Sequence, residues 1–100
     1  MMEDKTVLSE ADIEQALSHL EGWEYVASDK TLQRVWYFDK FVPTMAFVRR
    51  LTGVMDDQNH HSDLALDSRA KTLTVRVSTH SKDAVTRADL SFAEAVSAAE

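Results

Sequence analysis

Apolar residues recur at helical spacing near the start of the chain. They lie three or four positions apart and form a single stripe, made of Ile13, Ala16, Leu17 and Leu20. Ser9 precedes this stripe and can cap a free backbone N–H, while Asp12 places a negative charge in the positive first turn. Gly22 is typical of the end of a helix. The pattern therefore predicts a first helix that begins after Ser9 and stops at Gly22.

The longest helical pattern begins near Pro43 and leads to a pair of histidines. Proline suits the first turn of a helix because an N–H at that position would have no partner within the helix. The stripe that follows consists of Phe47, Val48, Leu51, Val54, Met55 and Gln58. Gly53 lies inside it and should weaken the helix by about 1 kcal/mol relative to alanine. We therefore expect either close packing or a slight bend at Gly53.

The last helix is predicted from Thr86 and Asp89. A hydroxyl followed three residues later by an acid can satisfy two free N–H groups at a helix start. The residues that continue this helix are Leu90, Phe92, Ala93, Val96 and Ala99. Its small-residue face suits close packing, so we expect it to be buried against a second subunit together with any uncovered sheet edge.

The segments between these helices have strand patterns. Trp23 and Tyr25 open one such segment, and 32–38 is rich in aromatic and β-branched residues. A short run, 64–66, leads into a turn at 67–70. The clearest strand follows, where Leu73, Val75 and Val77 alternate with polar residues and His80 falls on the polar phase. The order of elements predicts one α+β domain over 1–100, with helices covering one face of an antiparallel sheet.

Composition excludes several classes of protein. Seventeen acidic and eleven basic residues give a formal net charge of −6, and no patch gathers the basic residues, which disfavours direct binding of nucleic acid. The chain has no cysteine, so we expect neither disulfides nor a thiolate metal site, and a cytoplasmic location. The first residues lack the apolar run of a secretory signal, and no stretch approaches the roughly 20 apolar residues of a membrane span.

Three of the four histidines lie at the predicted ends of two elements, the helix that reaches His60 and His61 and the strand that reaches His80. Imidazoles exchange protons near neutral pH and could provide acid–base catalysis. Histidines are also common at helix ends without any function, and for this trio the two interpretations are evenly balanced. A shared metal ion is disfavoured, since adjacent side chains on a helix project roughly 100° apart.

Two acids have similarly open roles. The position of Asp89 favours a helix cap with no other role, and the alternative is that it orients His80, nine residues earlier. Asp56 lies one helical turn before His60 and could pair with it, or it could be a solvated acid on the helix surface.

Taken together, these segments resemble the pterin-4a-carbinolamine dehydratase family. The motif residues are Asp56, then Asn59-His60-His61-Ser62-Asp63, then the strand that ends in Thr79-His80, then Asp89. Family members have a His-His-Pro triplet, so Ser62 stands in place of the motif proline, and Leu64, Ala65 and Leu66 stand where an aromatic residue is common. The upstream half is also similar, at Leu20, Gly22, Trp23, 38–41 and 46–47.

The resemblance implies a four-stranded antiparallel sheet with helices on one face, assembled as a homodimer or homotetramer. It implies a dehydratase that removes water from a 4a-hydroxytetrahydropterin to give the quinonoid dihydropterin, with no metal or organic cofactor. By the same resemblance, His60 and His80 are expected to be general acids, His61 a binding residue or base, and Asp89 the group that orients His80. The residues expected to bind substrate or support the site are Asp56, Ser62, Asp63 and Thr79.

Two other functions remain open. The chain could be a non-catalytic interaction module, because relatives also act as dimerisation partners of transcription factors. It could also bind a pterin in another pathway, such as molybdopterin metabolism.

Overall fold

The structure, a computed structural model, describes residues 4–100. This part of the chain forms three helices, α1 (Glu10–Leu17), α2 (Phe41–Gln58) and α3 (Arg87–Ala98). It also forms four strands, β1 (Trp23–Val26), β2 (Thr31–Tyr37), β3 (Asp63–Asp67) and β4 (Thr72–Val77), and a short 3-10 turn at His80–Lys82. The predicted α+β class is confirmed. No helix in 4–100 has both the length and the apolar character needed to cross a membrane.

The four strands make one antiparallel sheet in the order β1-β2-β4-β3. Two hairpins, β1–β2 and β3–β4, lie side by side, so that β2 and β4 are central. Leu73 lies opposite Trp36 on one side and Leu66 on the other, while Val75 lies opposite Arg34 and Leu64. Directly opposed residues point to the same face of a sheet. Leu73 and Val75 therefore share one face with their partners in β2 and β3.

All three helices pack against that face of the sheet. One continuous core joins Ile13 of α1, Leu51 of α2 and Phe92 of α3 to the sheet residues Leu32 and Val75. Leu73, Val75 and Val77 are each buried almost completely, as their alternation predicts, whereas the intervening Thr72, Thr74 and Arg76 are half-buried. The helices therefore cover one face and leave the other face open.

The first helix begins where the sequence predicts and ends earlier. The hydroxyl of Ser9 accepts a hydrogen bond from the backbone N–H of Asp12 at 3.1 Å, so the predicted cap is confirmed. The helix ends at Leu17, and Gly22 lies beyond it in the turn before β1, with φ of +87°. A Cβ atom at Gly22 would lie 2.8 Å from Nε of Arg34. Gly22 thus shapes the turn that leads into the sheet rather than the helix end itself.

The last helix is buried within the monomer. Its capping box is confirmed, because Thr86 and Asp89 bond to one another's backbone N–H groups. The residues of α3 with buried side chains are Ala88, Asp89, Leu90, Phe92, Ala93 and Val96. These side chains pack against the core within the monomer, and burial of the rest of α3 against a second subunit stays a prediction.

Gly53 does not lie in a close contact. No heavy atom of the described chain outside the local helix lies within 4 Å of a Cβ built at Gly53, and the residue is exposed on α2. The expected close packing is wrong.

Gly53→Ala should raise the free energy of unfolding by about 0.5 to 1 kcal/mol, because alanine loses less backbone entropy in a helix and has room for its methyl group. Urea unfolding at a fixed protein concentration measures the change. Gly22→Ala is the matched control and should lower stability by about 1 to 2 kcal/mol, since its backbone is left-handed. Equal changes in the free energy of unfolding for both variants would contradict the different backbone roles of Gly53 and Gly22.

Apolar side chains are exposed where β2 ends and α2 begins. Tyr37, Phe41 and Val42 are 81%, 53% and 77% exposed, respectively, and we call these three residues the apolar patch. In addition, β3 is an edge strand of the described sheet and most of its residues are exposed. Exposed apolar clusters and uncovered strand edges are both surfaces that association can bury.

We predict that the protein associates at micromolar concentration, with a mass above the 11.3 kDa of one chain in light scattering coupled to size exclusion. Replacing Tyr37 and Val42 of the apolar patch with serine should lower the mass without unfolding the chain, because both side chains are largely exposed in the monomer. A monomeric mass for the unmodified protein would contradict the prediction.

Candidate active site

A cleft of about 230 Å³ opens beside the end of α2 and the segment that follows β4. Its walls come from three separated segments of the chain. The residues that line it are Lys5, Asn59, His60, His61, Ser78, Thr79, His80 and Ser81. The cleft therefore brings together the three histidines that the sequence singled out.

The end of α2 determines which way the histidine pair points. Asn59 adopts the left-handed conformation with φ of 51°, and its N–H bonds to the carbonyl of Asp56. The N–H of His60 bonds to the carbonyl of Met55, which completes the common helix-terminating arrangement in which asparagine replaces glycine. After this reversal His60 is buried and His61 is exposed, so the two rings have different environments.

His60 is held by Asp89. Nε2 of His60 lies 2.6 Å from Oδ1 of Asp89, and the two side chains are 8% and 0% exposed. The ring of His60 also packs edge-on against Phe92, with 6.1 Å between ring centroids. Because an ionised carboxylate only accepts hydrogen bonds, this contact places the proton on Nε2.

The other oxygen of Asp89 collects donors from two threonines. Oδ2 accepts the backbone N–H of Thr86 at 2.7 Å and the hydroxyl of Thr79 at 3.0 Å. With Thr79 donating to Asp89, the 2.7 Å contact between the two threonine hydroxyls is a bond from Thr86 to Thr79. One buried carboxylate thus caps α3, fixes the segment after β4 and orients His60.

His80 lies further along the segment after β4. The predicted strand ends at Val77, three residues earlier than the sequence pattern suggests, because Thr79 leaves the ladder and bonds through its N–H to the carbonyl of Ala84. The 3-10 turn His80–Lys82 is followed by Asp83, whose φ of 47° is left-handed. The ring of His80 is exposed at the cleft wall.

The structure corrects one predicted pairing. Asp89 contacts His60 rather than His80, so the expectation that it orients His80 is wrong. Asp89 both caps α3 and orients the ring of His60. The carboxylate at Nε2 of His60 is likewise that of Asp89 rather than that of Asp56, which is exposed on the last turn of α2.

The remaining predicted residues occupy different places around the cleft. Thr79 lines it, as expected of a supporting residue. Asp63 is exposed at the start of β3 and is not among the lining residues. Ser62 is half-buried, and its hydroxyl oxygen has no hydrogen-bond partner within residues 4–100.

The sequence did not reveal Lys5 as part of the site. The segment 4–8 lies beside the start of α3, where the N–H groups of Arg87 and Ala88 donate to the carbonyls of Thr6 and Asp4. These bonds connect positions more than 80 residues apart, and the first residues carry no periodic pattern that would predict them. The left-handed Asn59, by contrast, could have been predicted from the preference of asparagine for helix ends.

Hydrogen bonds also fix the carboxylate of Asp4, the residue before Lys5 in the chain. The pKa of Asp4 is lower than usual, because the hydroxyl and backbone N–H of Thr6 both donate to its side chain, at 2.6 and 3.0 Å. In residues 4–100 no three His, Cys, Asp or Glu side chains are grouped so that they could hold a metal ion. The chemistry available in the cleft is therefore that of imidazoles, hydroxyls, an amide and an ammonium group.

Known proteins resemble this chain along most of its length. The profile of the family described as "Pterin 4 alpha carbinolamine dehydratase" matches residues 6–99. Proteins of Thermosynechococcus vestitus and Sulfolobus acidocaldarius, each named "Putative pterin-4-alpha-carbinolamine dehydratase", are 34% and 30% identical to this chain. The first alignment covers 90% of each chain, and the second covers 89% of this chain and 93% of the relative.

A solved structure shares the fold. The crystal structure of a transcriptional coactivator/pterin dehydratase from Brucella melitensis superposes with a TM-score of 0.85 at 24% identity, and covers 94% of this chain and 98% of the other. The profile match over nearly the whole chain, together with these relatives, shows that the chain belongs to the pterin 4 alpha carbinolamine dehydratase family.

Proposed function

We propose that the protein is a hydro-lyase that removes water from a 4a-hydroxytetrahydropterin. The observation that carries the proposal is the placement of His61 and His80, two exposed imidazoles from different segments, in the walls of one cleft. Membership of the family and the names of the relatives support the substrate class.

Dehydration needs one proton donor and one proton acceptor. The donor protonates the 4a-hydroxyl, the C4a–O bond breaks, and its electron pair leaves with water. A ring nitrogen then forms the C=N bond of the quinonoid dihydropterin and gives its proton to the acceptor. Imidazoles can perform both steps near neutral pH, because one can be protonated while the other is neutral.

We assign these proton transfers to His61 and His80, which are exposed to the cleft. His60 lines the same cleft, but its Nε2 is engaged by the buried Asp89. We therefore propose His60 and Asp89 as a positioning pair that holds the end of α2 against the start of α3. Ser78 is a polar neighbour that can hydrogen-bond the pterin ring, Thr79 supports the site through its bond to Asp89, and Asp56, Ser62 and Asp63 support the surrounding segments.

His61→Ala and His80→Ala should each lower kcat/KM for a chemically generated carbinolamine by about 10²- to 10⁴-fold, the usual contribution of a positioned acid or base. Stopped-flow absorbance measures the rate. Both side chains are exposed, so the free energy of unfolding should change by less than about 0.5 kcal/mol.

The matched control for these variants is His19→Ala, because His19 is also exposed and lies outside the cleft. Its activity should equal that of the unmodified protein. A rate no higher than the uncatalysed reaction for the unmodified protein, or full activity in both cleft variants, would refute the proposed function.

Asp89→Asn should lower kcat while leaving KM nearly unchanged, because the groups that line the cleft remain but His60 loses its charged partner. Asparagine keeps only one acceptor oxygen, so it cannot accept from the two threonines and from His60 at the same time, and stability should fall by about 1 to 3 kcal/mol. Nitrogen-15 spectra of the His60 ring should show that the Nε2–H form is no longer fixed.

Ser9→Ala is the control that distinguishes a positioning role of Asp89 from a purely structural one. It removes the cap of a different helix, α1, and should lower the free energy of unfolding by about 1 kcal/mol. This control should leave kcat unchanged. Unaltered kcat and His60 ring spectra in a folded Asp89→Asn protein would rule out the positioning pair.

A second candidate function is an interaction module, and the apolar patch favours it. The patch lies at the beginning of α2 and the cleft lies at its end, about 27 Å away for a helix of 18 residues. Association through the patch would therefore leave the cleft open. The solution mass of the apolar-patch variants, compared with their activity, tests whether the two surfaces act independently.

A further inference from the structure

A second cavity, of about 320 Å³, lies between β2, α2 and the residues that follow α3. We call it the arginine cavity, and its lining residues are Arg34, Trp36, Phe47, Arg50 and Glu100. Helix α3 runs between the cleft and this cavity, since Asp89 in its first turn contacts His60 and Glu100 follows its last turn. Its 12 residues span about 18 Å. The two sites share no residue, so the arginine cavity is separate from the proposed pterin site.

The arginine cavity combines aromatic rings with guanidinium groups. Trp36 and Phe47 meet edge to face, with 5.2 Å between their ring centroids. Cζ of Arg34 lies 4.5 Å from the centre of the Trp36 ring, and Cζ of Arg50 lies 5.4 Å from that of Phe47. A guanidinium over an aromatic ring makes a favourable cation–π contact and keeps N–H donors at its edge. The cavity therefore offers flat surfaces and cationic donors together.

One carboxylate already occupies part of this cavity. Oε1 of Glu100 lies 2.5 Å from Nη2 of Arg34 and accepts the indole N–H of Trp36 at 2.7 Å. The side chain of Arg34 is only 16% exposed, so its charge is largely enclosed with that of Glu100. A guanidinium and an indole N–H that converge on one oxygen are donors suited to an anion. Glu100 thus shows which functional group these donors accept.

Arg50 has donors to spare. Within residues 4–100 its only hydrogen bond is from Nε to the carbonyl of Ala99, at 3.0 Å, and no carboxylate of this part of the chain pairs with it. Its side chain is exposed on α2. The lining of the cavity contains two guanidinium groups and one carboxylate, and that carboxylate belongs to Arg34. The terminal nitrogens of Arg50 can therefore receive a second anion.

We propose that the arginine cavity binds a small organic carboxylate that carries an aromatic ring. The carboxylate accepts charge-assisted hydrogen bonds from the terminal nitrogens of Arg50, and the ring packs against Trp36 and Phe47. A concave site with aromatic walls and a few convergent polar groups is typical of small-ligand binding. The inference goes beyond the proposed function, because this ligand and the pterin occupy different sites.

The test compares three probes that separate the ring from the charge. 3-Phenylpropionate has both, propionate lacks the ring, and 3-phenyl-1-propanol lacks the charge. Each is titrated into the 100-residue chain at neutral pH and low ionic strength. Kd is obtained from the nuclear magnetic resonance signal of the Trp36 indole N–H. The indole of Trp23, which donates to Ser97 and does not line the cavity, is the internal reference.

We expect 3-phenylpropionate to bind about 3- to 10-fold more tightly than 3-phenyl-1-propanol, the range between an exposed ion pair and a charge-assisted bond. It should bind at least about 10-fold more tightly than propionate, which has no ring to bury. The advantage over the alcohol should shrink at high salt, where exposed charges are screened.

Arg50→Ala should lower the affinity for 3-phenylpropionate to that for the alcohol, and Arg50→Lys should keep part of it because the charge remains without the planar fork. The matched control is Arg49→Ala, which removes an exposed arginine from the adjacent position of α2 that does not line the cavity. This control should keep the affinity. Glu100→Gln removes the negative charge nearest the bound carboxylate and should raise the affinity by about 3-fold.

The proposed site is refuted if 3-phenylpropionate leaves the Trp36 signal in place, or if it binds no more tightly than the two partial probes. Equal losses of affinity in Arg49→Ala and Arg50→Ala would show that the charge of α2 in general attracts the anion, and would also overturn the assignment. None of these results depends on dehydratase activity, so failure of this site and failure of the proposed function are distinguishable.

Discussion

The carboxylate of Asp89 is the interaction on which the site depends. It is fully buried and accepts hydrogen bonds from the N-cap of α3, from Thr79 after β4 and from His60 after α2. A buried carboxylate is costly unless all of its lone pairs have donors, so these three segments can reach their native places only together. The shape of the cleft therefore follows from the need to satisfy one charge.

This arrangement joins two roles that look like alternatives in the sequence. A helix cap and an orienting acid would each explain an aspartate at the third position of α3. Because a carboxylate has two oxygens, Oδ2 caps the helix while Oδ1 faces His60. The stability of α3 and the orientation of a ring in the cleft are thus energetically coupled, and neither can be altered alone at this residue.

Local patterns predict much of the fold, because they reflect local physics. The alternation of β4 and the capping box of α3 follow from side-chain periodicity and from unpaired N–H groups, and both are observed. The predicted end of α1 at Gly22 was wrong because glycine serves a turn there as readily as a helix terminus. Of the two alternatives expected at Gly53, close packing was wrong because Gly53 lies off the buried stripe of α2, on its exposed side.

The site was predictable in its residue types but not in its pairings. The spacing brought His60, His61 and His80 into one hypothesis, and they do line one cleft. That Asp89 faces His60 rather than His80 depends on the left-handed turn at Asn59, which reverses the chain and turns the first of two adjacent rings inward. The contribution of Lys5 depends on backbone pairing across almost the entire chain, for which local patterns carry no signal.

The pairing of segment 4–8 with α3 also dictates when the cleft can exist during biosynthesis. Segment 4–8 is synthesised before α3, so it must wait for its partners while the helices and strands between them emerge. Closing so long a loop is entropically costly until the intervening sheet has brought its ends together. The cleft is therefore completed only after α3 has left the ribosome, and an incompletely synthesised chain lacks both Asp89 and the fixed position of Lys5.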